Sequence, residues 1–136
     1  MSVETAKTYF ERSDSADATV EDIIDLFADD AILKSPREGT FRGRDAVREF
    51  FRLNAEFFDE GSHDMTAYYE TDDTVVCEGT IRGTTSAGRE YEGVGLVDVM
   101  EFNGDDEIEV LRVYLDYSGI LSELPEDVPS FLGGED

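Results

Sequence analysis

One aspartate interrupts an apolar row. Residues 91–117 read as a hairpin turning at Asn103-Gly104, and its first strand puts Val94, Leu96, Asp98, Met100 and Phe102 on one face, because successive strand residues point to opposite sides. Leu111, Val113 and Leu115 form the matching row on the returning strand. The Asp98 carboxyl is therefore expected to point into an apolar interior. Desolvation disfavours its charged form, so it can keep its proton near neutral pH and donate a hydrogen bond to a ligand oxygen, or act as general acid and base. The competing role is a structural carboxylate bonded to a backbone group or a tyrosine hydroxyl.

The other reactive side chains promise less. His63 falls on a strand face with Met65, Ala67 and Tyr69 and has no evident partner, which is the pattern of a structural or surface histidine. Cys77 is the single cysteine, so it forms no internal disulfide; with one histidine it is a poor seed for a zinc site and reads as a small buried strand residue. The pairs Asp29-Asp30, Asp72-Asp73 and Asp105-Asp106 fall at expected turns without calcium-loop spacing. No metal or organic cofactor is expected.

Three helices should come before this sheet. Val3, Ala6 and Phe10 recur at helical spacing over residues 2–13, with Tyr9 beside them, and Thr19 with Asp22 forms a capping box ahead of Val20, Ile23, Ile24 and Phe27. Asp29-Asp30 is expected to end that second helix, residues 31–35 to form a short strand and residues 40–43 a turn. A third helix over 44–59 carries Val47, Phe50, Phe51, Asn54 and Phe58 on one stripe, with Arg44, Asp45, Arg48, Glu49 and Arg52 on the wet side, and Gly61 stops it. The period then changes to two over the strands before residue 102. Helices followed by strands imply an α+β domain over residues 1–124, in which helices cover one face of a twisted antiparallel sheet. A last turn is expected over 118–124 and a loosely held tail over 125–136, pinned by Phe131.

The 136 residues suffice for one core, and no apolar run is long enough to span a bilayer. Asp and Glu number 34 against 11 Lys and Arg, a formal net charge of −23, and lysine is almost abandoned for arginine. That excludes a basic stripe for nucleic acid. It is similar to the surfaces of proteins from halophilic archaea, and predicts a need for salt, because a Debye length of about 3 Å at molar ionic strength screens the repulsion. The opening Met1-Ser2-Val3-Glu4 lacks a basic segment followed by an apolar core, so a cytoplasmic location is expected.

Residues 26–31 (Leu-Phe-Ala-Asp-Asp-Ala), Pro36, Gly39, residues 41–44 (Phe-Arg-Gly-Arg), Val47 and Phe50-Phe51 resemble the opening half of the superfamily that includes nuclear transport factor 2, ketosteroid isomerase and SnoaL-type polyketide cyclases. Residues 98–104, Ile108, Arg112, Tyr114 and Asp116 resemble its closing hairpin. The resemblance implies a cone-shaped NTF2-like fold: a curved antiparallel sheet wrapped around the three helices, a pocket at one end, and a homodimer formed through the outer sheet face with Arg112, Tyr114 and Asp116. It also implies an oxyanion hole in which Tyr9 assists a protonated Asp98, as in the isomerases.

Ser35 falls where the isomerases carry their proton-transferring aspartate, and Val113 where the cyclases carry an inward carboxylate. An unassisted serine is no base near neutral pH. The expected pocket is lined by Ser35, Phe51, Asn54, Leu96, Met100, Leu111 and Val113 around Asp98 and Tyr9. It would take a small apolar carbonyl-type molecule for isomerisation, cyclisation or lyase chemistry; the alternative is a ligand-binding or dimerisation module without chemistry.

Overall fold

The computed structural model describes residues 2–120; the turn expected over 118–124 lies partly outside that range, and the tail with Phe131 wholly outside it. Helix α1 (Ser2–Asp14) buries Ala6, Tyr9 and Phe10, the stripe that its spacing requires. Helix α2 (Val20–Ile24) has the capping box: Asp22 N–H donates to Thr19 Oγ1 at 3.3 Å, and Thr19 N–H to the Asp22 carboxylate at 2.8 Å. The helix is one turn long. Asp29-Asp30 does not end it, because both residues already lie in strand β1 (Phe27–Ser35).

Their exposure comes from a bulge. Along the β1–β6 junction Phe27 pairs with Ile108, yet Ile32 pairs with Val110, so β1 carries extra residues there and throws the two aspartates outward. The Phe27 carbonyl at this irregularity accepts from Arg44 Nη2 at 2.7 Å and Nε at 3.1 Å. Arg44, placed on the wet side by its sequence position, thus braces a backbone group. Residues 40–43 are no turn either: β2 (Gly39–Arg42) pairs antiparallel with β1.

Helix α3 (Arg44–Phe57) buries Val47, Phe50 and Phe51, and gives way at once to β3 (Phe58–Thr71). Strands β4 (Thr74–Thr85), β5 (Glu90–Phe102) and β6 (Ile108–Leu115) follow, then a 3-10 turn at Tyr117–Gly119. The six strands run β2-β1-β6-β5-β4-β3, antiparallel except for the β1–β6 junction. This is the α+β architecture expected, a curved and unclosed sheet with the helices on its concave side.

Glycine sets part of the curvature. A Cβ on Gly79 would lie 2.4 Å from the Asp64 carbonyl, and one on Gly83 2.0 Å from that of Glu60, so only glycine lets β3 press this closely on β4. A bulge between Met65 and Ala67 reverses the face of β3. Tyr68 therefore turns inward against Phe10, with ring centroids 6.4 Å apart, whereas Tyr69, expected with His63 and Met65, is 57% exposed.

Beneath the helices, Phe27, Leu33, Val75, Cys77, Met100, Ile108 and Leu111 are fully enclosed. The row read from the sequence is inward as expected. Val94, Leu96, Asp98, Met100 and Phe102 are all buried, which fixes where the carboxyl must point.

Candidate functional site

Asp98 stands in the middle of the sheet, opposite Cys77 on β4 and Val113 on β6. Only 3% of it is exposed. Its Oδ1 has no hydrogen-bond partner among the described residues, so the structural role weighed for this carboxyl, a bond to backbone or tyrosine, is not seen at that atom. A buried group left so costs stability. Burial pushes its carboxyl up to about 7, against a smaller lowering by His63.

This carboxyl lies on the wall of a cavity of about 500 Å³ between helices and sheet, a volume suited to a small organic ligand. Tyr9, Phe50, Phe51 and Phe58 supply aromatic surface from the helical side, and Leu96, Val113 and Leu115 line the sheet. Tyr9 is held at its edge by Phe10 and Phe51, with centroids 5.0 and 6.1 Å away. Burial, and then the charge of Asp98, raise its phenol well above the ordinary tyrosine value, which keeps it a donor. Ser13, on the same wall, has a buried Oγ without a well-formed hydrogen bond.

The structure thus brings together Asp98, Tyr9, Phe51, Asn54, Leu96 and Val113 on one cavity. Asn54 is an exposed residue of the mouth rather than a buried amide. Ser35, Met100 and Leu111 are corrected. Met100 and Leu111 share the inner row but are wholly enclosed by core side chains, because the helices close onto the sheet at that end. Ser35 does not line the cavity: it is buried, donating to the Glu38 carboxylate and lying 3.4 Å from the hydroxyl of Tyr117.

Two features of the site escape sequence reasoning. Tyr117 lines the cavity, and the two-residue spacing that joins Val113 to Leu115 would have reached it. Its hydroxyl donates to Glu38 at 3.1 Å, and Arg37 lies over its ring. The second has no local signal: His63 is not partnerless. Its Nδ1 lies 2.6 Å from Asp14 Oδ1, and its backbone N–H donates to Asp14 Oδ2 at 3.0 Å, across 49 positions of chain. Both residues line the cavity. Cys77 behaves as expected: it is fully buried, and burial with the nearby Asp98 charge pushes its thiol up to about 12, which leaves it inert.

Residues 6–110 match the sequence model of the SnoaL-like domain. No curated protein matches the chain. Among solved structures, an NTF2-like protein of unknown function from Burkholderia pseudomallei superposes with a TM-score of 0.79 at 21% identity, over 88% of this chain and 93% of that one. A hypothetical protein with a ketosteroid isomerase-like fold from Catenulispora acidiphila, in complex with trimethylamine, gives 0.78 at 19% identity over 93% and 97%. A Jannaschia protein classed as a SnoaL-like polyketide cyclase gives 0.79 at 16% identity over 91% and 93%. At these identities the likeness is one of fold.

Proposed function

The chain belongs to the SnoaL-like domain family, and from that premise we propose that its cavity binds a small apolar carbonyl compound, whose oxygen accepts a hydrogen bond from protonated Asp98. The buried, unpartnered Oδ1 of Asp98 on the cavity wall carries this reading. Tyr9 sits on the same wall and gives a second donor for that oxygen. Two donors on one wall favour an oxygen that gains negative charge, as happens in enolisation, so the chemistry supported is isomerisation, cyclisation or lyase chemistry.

The test is binding of 1-tetralone, a bicyclic ketone small enough for the cavity, followed by ligand-observed NMR. Affinity should hold at pH 5–6 and fall as Asp98 ionises above about 7, because a carboxylate repels a carbonyl oxygen. Asp98→Asn keeps an amide N–H donor and should lose only this pH dependence, whereas Asp98→Leu, which has no donor, should weaken binding about tenfold, the cost of one good hydrogen bond. Unchanged affinity in Asp98→Leu, with its fold intact by circular dichroism, would refute the reading.

A second reading, a binding module without chemistry, is favoured by Val113 in the cavity and by a Ser35 that does not line it. It predicts the same pH-dependent binding with no change in the bound ketone. The outer sheet face supports a homodimer: Val76, Val97 and Val99 lie there half-buried beside Tyr114, which is 50% exposed, and light scattering in molar KCl would test it. Membrane insertion by a helix has no support, since none among the described residues is long and apolar enough to cross a bilayer.

A further inference from the structure

Resting on the carbonyl reading, we propose that His63 is the proton acceptor of this site and Asp14 its positioning residue, so that the chemistry is proton transfer at the carbon next to the ligand carbonyl. The geometry argues for it in three steps. Asp14 grips His63 twice, through Nδ1 and through the backbone N–H, and Phe10 packs on the ring at a centroid distance of 5.0 Å. A ring held this way has one orientation.

The second step is the tautomer. A carboxylate can only accept, so the proton between Asp14 Oδ1 and His63 Nδ1 belongs to the histidine, and in the neutral ring Nε2 then carries the lone pair. Nε2 makes no hydrogen bond among the described residues, while His63 and Asp98 line the same cavity. The third is charge. Once Nε2 takes a proton the imidazolium sits against the Asp14 carboxylate, which stabilises it, and the site holds base and acid on separate elements, α1 with β3 against β5.

The step balances without a co-reactant. His63 Nε2 removes a proton from the carbon α to the carbonyl; the C–H pair becomes the enolate double bond, and the carbonyl π pair moves to the oxygen that Asp98 and Tyr9 hold. Returning the proton to the same carbon gives exchange. Returning it to the γ carbon of an unsaturated ketone gives isomerisation.

The experiment follows deuterium uptake at C2 of 1-tetralone in heavy water, beside its binding. The protein should accelerate uptake over buffer. His63→Gln should bind the ketone as before and lose about a hundredfold of the rate, the usual size of a general base's contribution, and Asp14→Asn should lose less. Because His63 is the only histidine, the nitrogen-15 spectrum of histidine-labelled protein reads its tautomer without mutation. An unprotonated Nε2, redistributed by Asp14→Asn, supports the assignment.

A proton found on Nε2 of the neutral ring overturns it. So does binding without uptake in the wild type, or a His63→Gln variant that melts early yet exchanges its bound ketone at full rate, for then the pair merely straps α1 to β3. Absence of ketone binding by the wild type overturns the carbonyl reading instead, and is distinguished from failure of the base by the binding measurement.

Discussion

Helix α3 separates two populations of carboxyl groups that are chemically alike and physically opposed. On its outer face Arg48 holds Glu21 and Asp45 at 2.5 and 2.7 Å, and Arg52 holds Glu49 and Glu56 at 2.5 and 2.6 Å. Hydrogen bonds from these guanidinium groups keep Glu21 and Glu49 below the usual carboxylate range. Across the cavity, Asp98 Oδ1 has no hydrogen-bond partner among the described residues, and burial holds the carboxyl above that range, at about 7. Arg48 and Arg52 stand where water would have served, while no arginine reaches the interior acid among the described residues. An unpaired interior acid is stable only as the neutral form, and a neutral acid facing a cavity is a donor waiting for an acceptor.

The strongest way to break that contrast is Asp98→Asn, which keeps the volume and removes the charge. Folding raises this carboxyl from 3.8 to about 7, so between those values the native chain keeps a proton that the unfolded chain releases. Stability therefore falls as pH rises from 4 to 7, and above 7 the whole penalty is present, about 4 kcal/mol for a shift of about three pKa units. At pH 8 the variant should melt about 10 °C above the wild type, with the gap closing toward pH 4. It should gain this stability and, because its amide N–H still donates, bind the ketone without the pH dependence of the wild type. A lower melting temperature at pH 8 would mean that the carboxylate is bonded and structural.

Salt acts on the other population. With a formal net charge of −23, the exterior repels itself, and no small number of arginine pairs can compensate. Molar KCl should raise the melting temperature by several degrees, because screening removes repulsion between exposed groups and barely reaches a buried one. The pH at which Asp98 titrates should move far less than the melting temperature. Equal midpoints in dilute buffer and molar KCl would remove the case for a salt-adapted surface.

What could be read from the sequence follows the same division between local and distant causes. Periodicity two points Asp98 inward because every neighbour in its row is apolar, and helical spacing puts Phe51 on a buried stripe, while Tyr9 comes to the site only through the family resemblance. The same rule failed at Tyr69, where an extra residue in β3 inverted the face, and at Asp29-Asp30, where the β1 bulge made a strand look like a turn. Periodicity also cannot say how far the helices close onto the sheet, so it does not separate Met100 and Leu111, which belong to the core, from the residues of the cavity wall. The Asp14–His63 contact was out of reach altogether, since it depends on where α1 crosses β3.

The smallest expected effect sharpens the comparison from the outside. Arg52 lies between Glu49 and Glu56, bonding the first through Nε and Nη2 and the second through Nη1. Replacing it with Gln deletes one positive charge from a helix face already rich in acid, and leaves both glutamates in water, where each is well solvated. Exposed pairs contribute little, and that little is electrostatic. In dilute buffer Arg52→Gln should lower the melting temperature slightly; in molar KCl the difference should vanish into the scatter, and ketone binding should be untouched at either salt. A loss that persisted in molar KCl would show that the arginine's aliphatic stem, rather than its charge, braces α3, and the outer face would then belong to the scaffold that shapes the cavity.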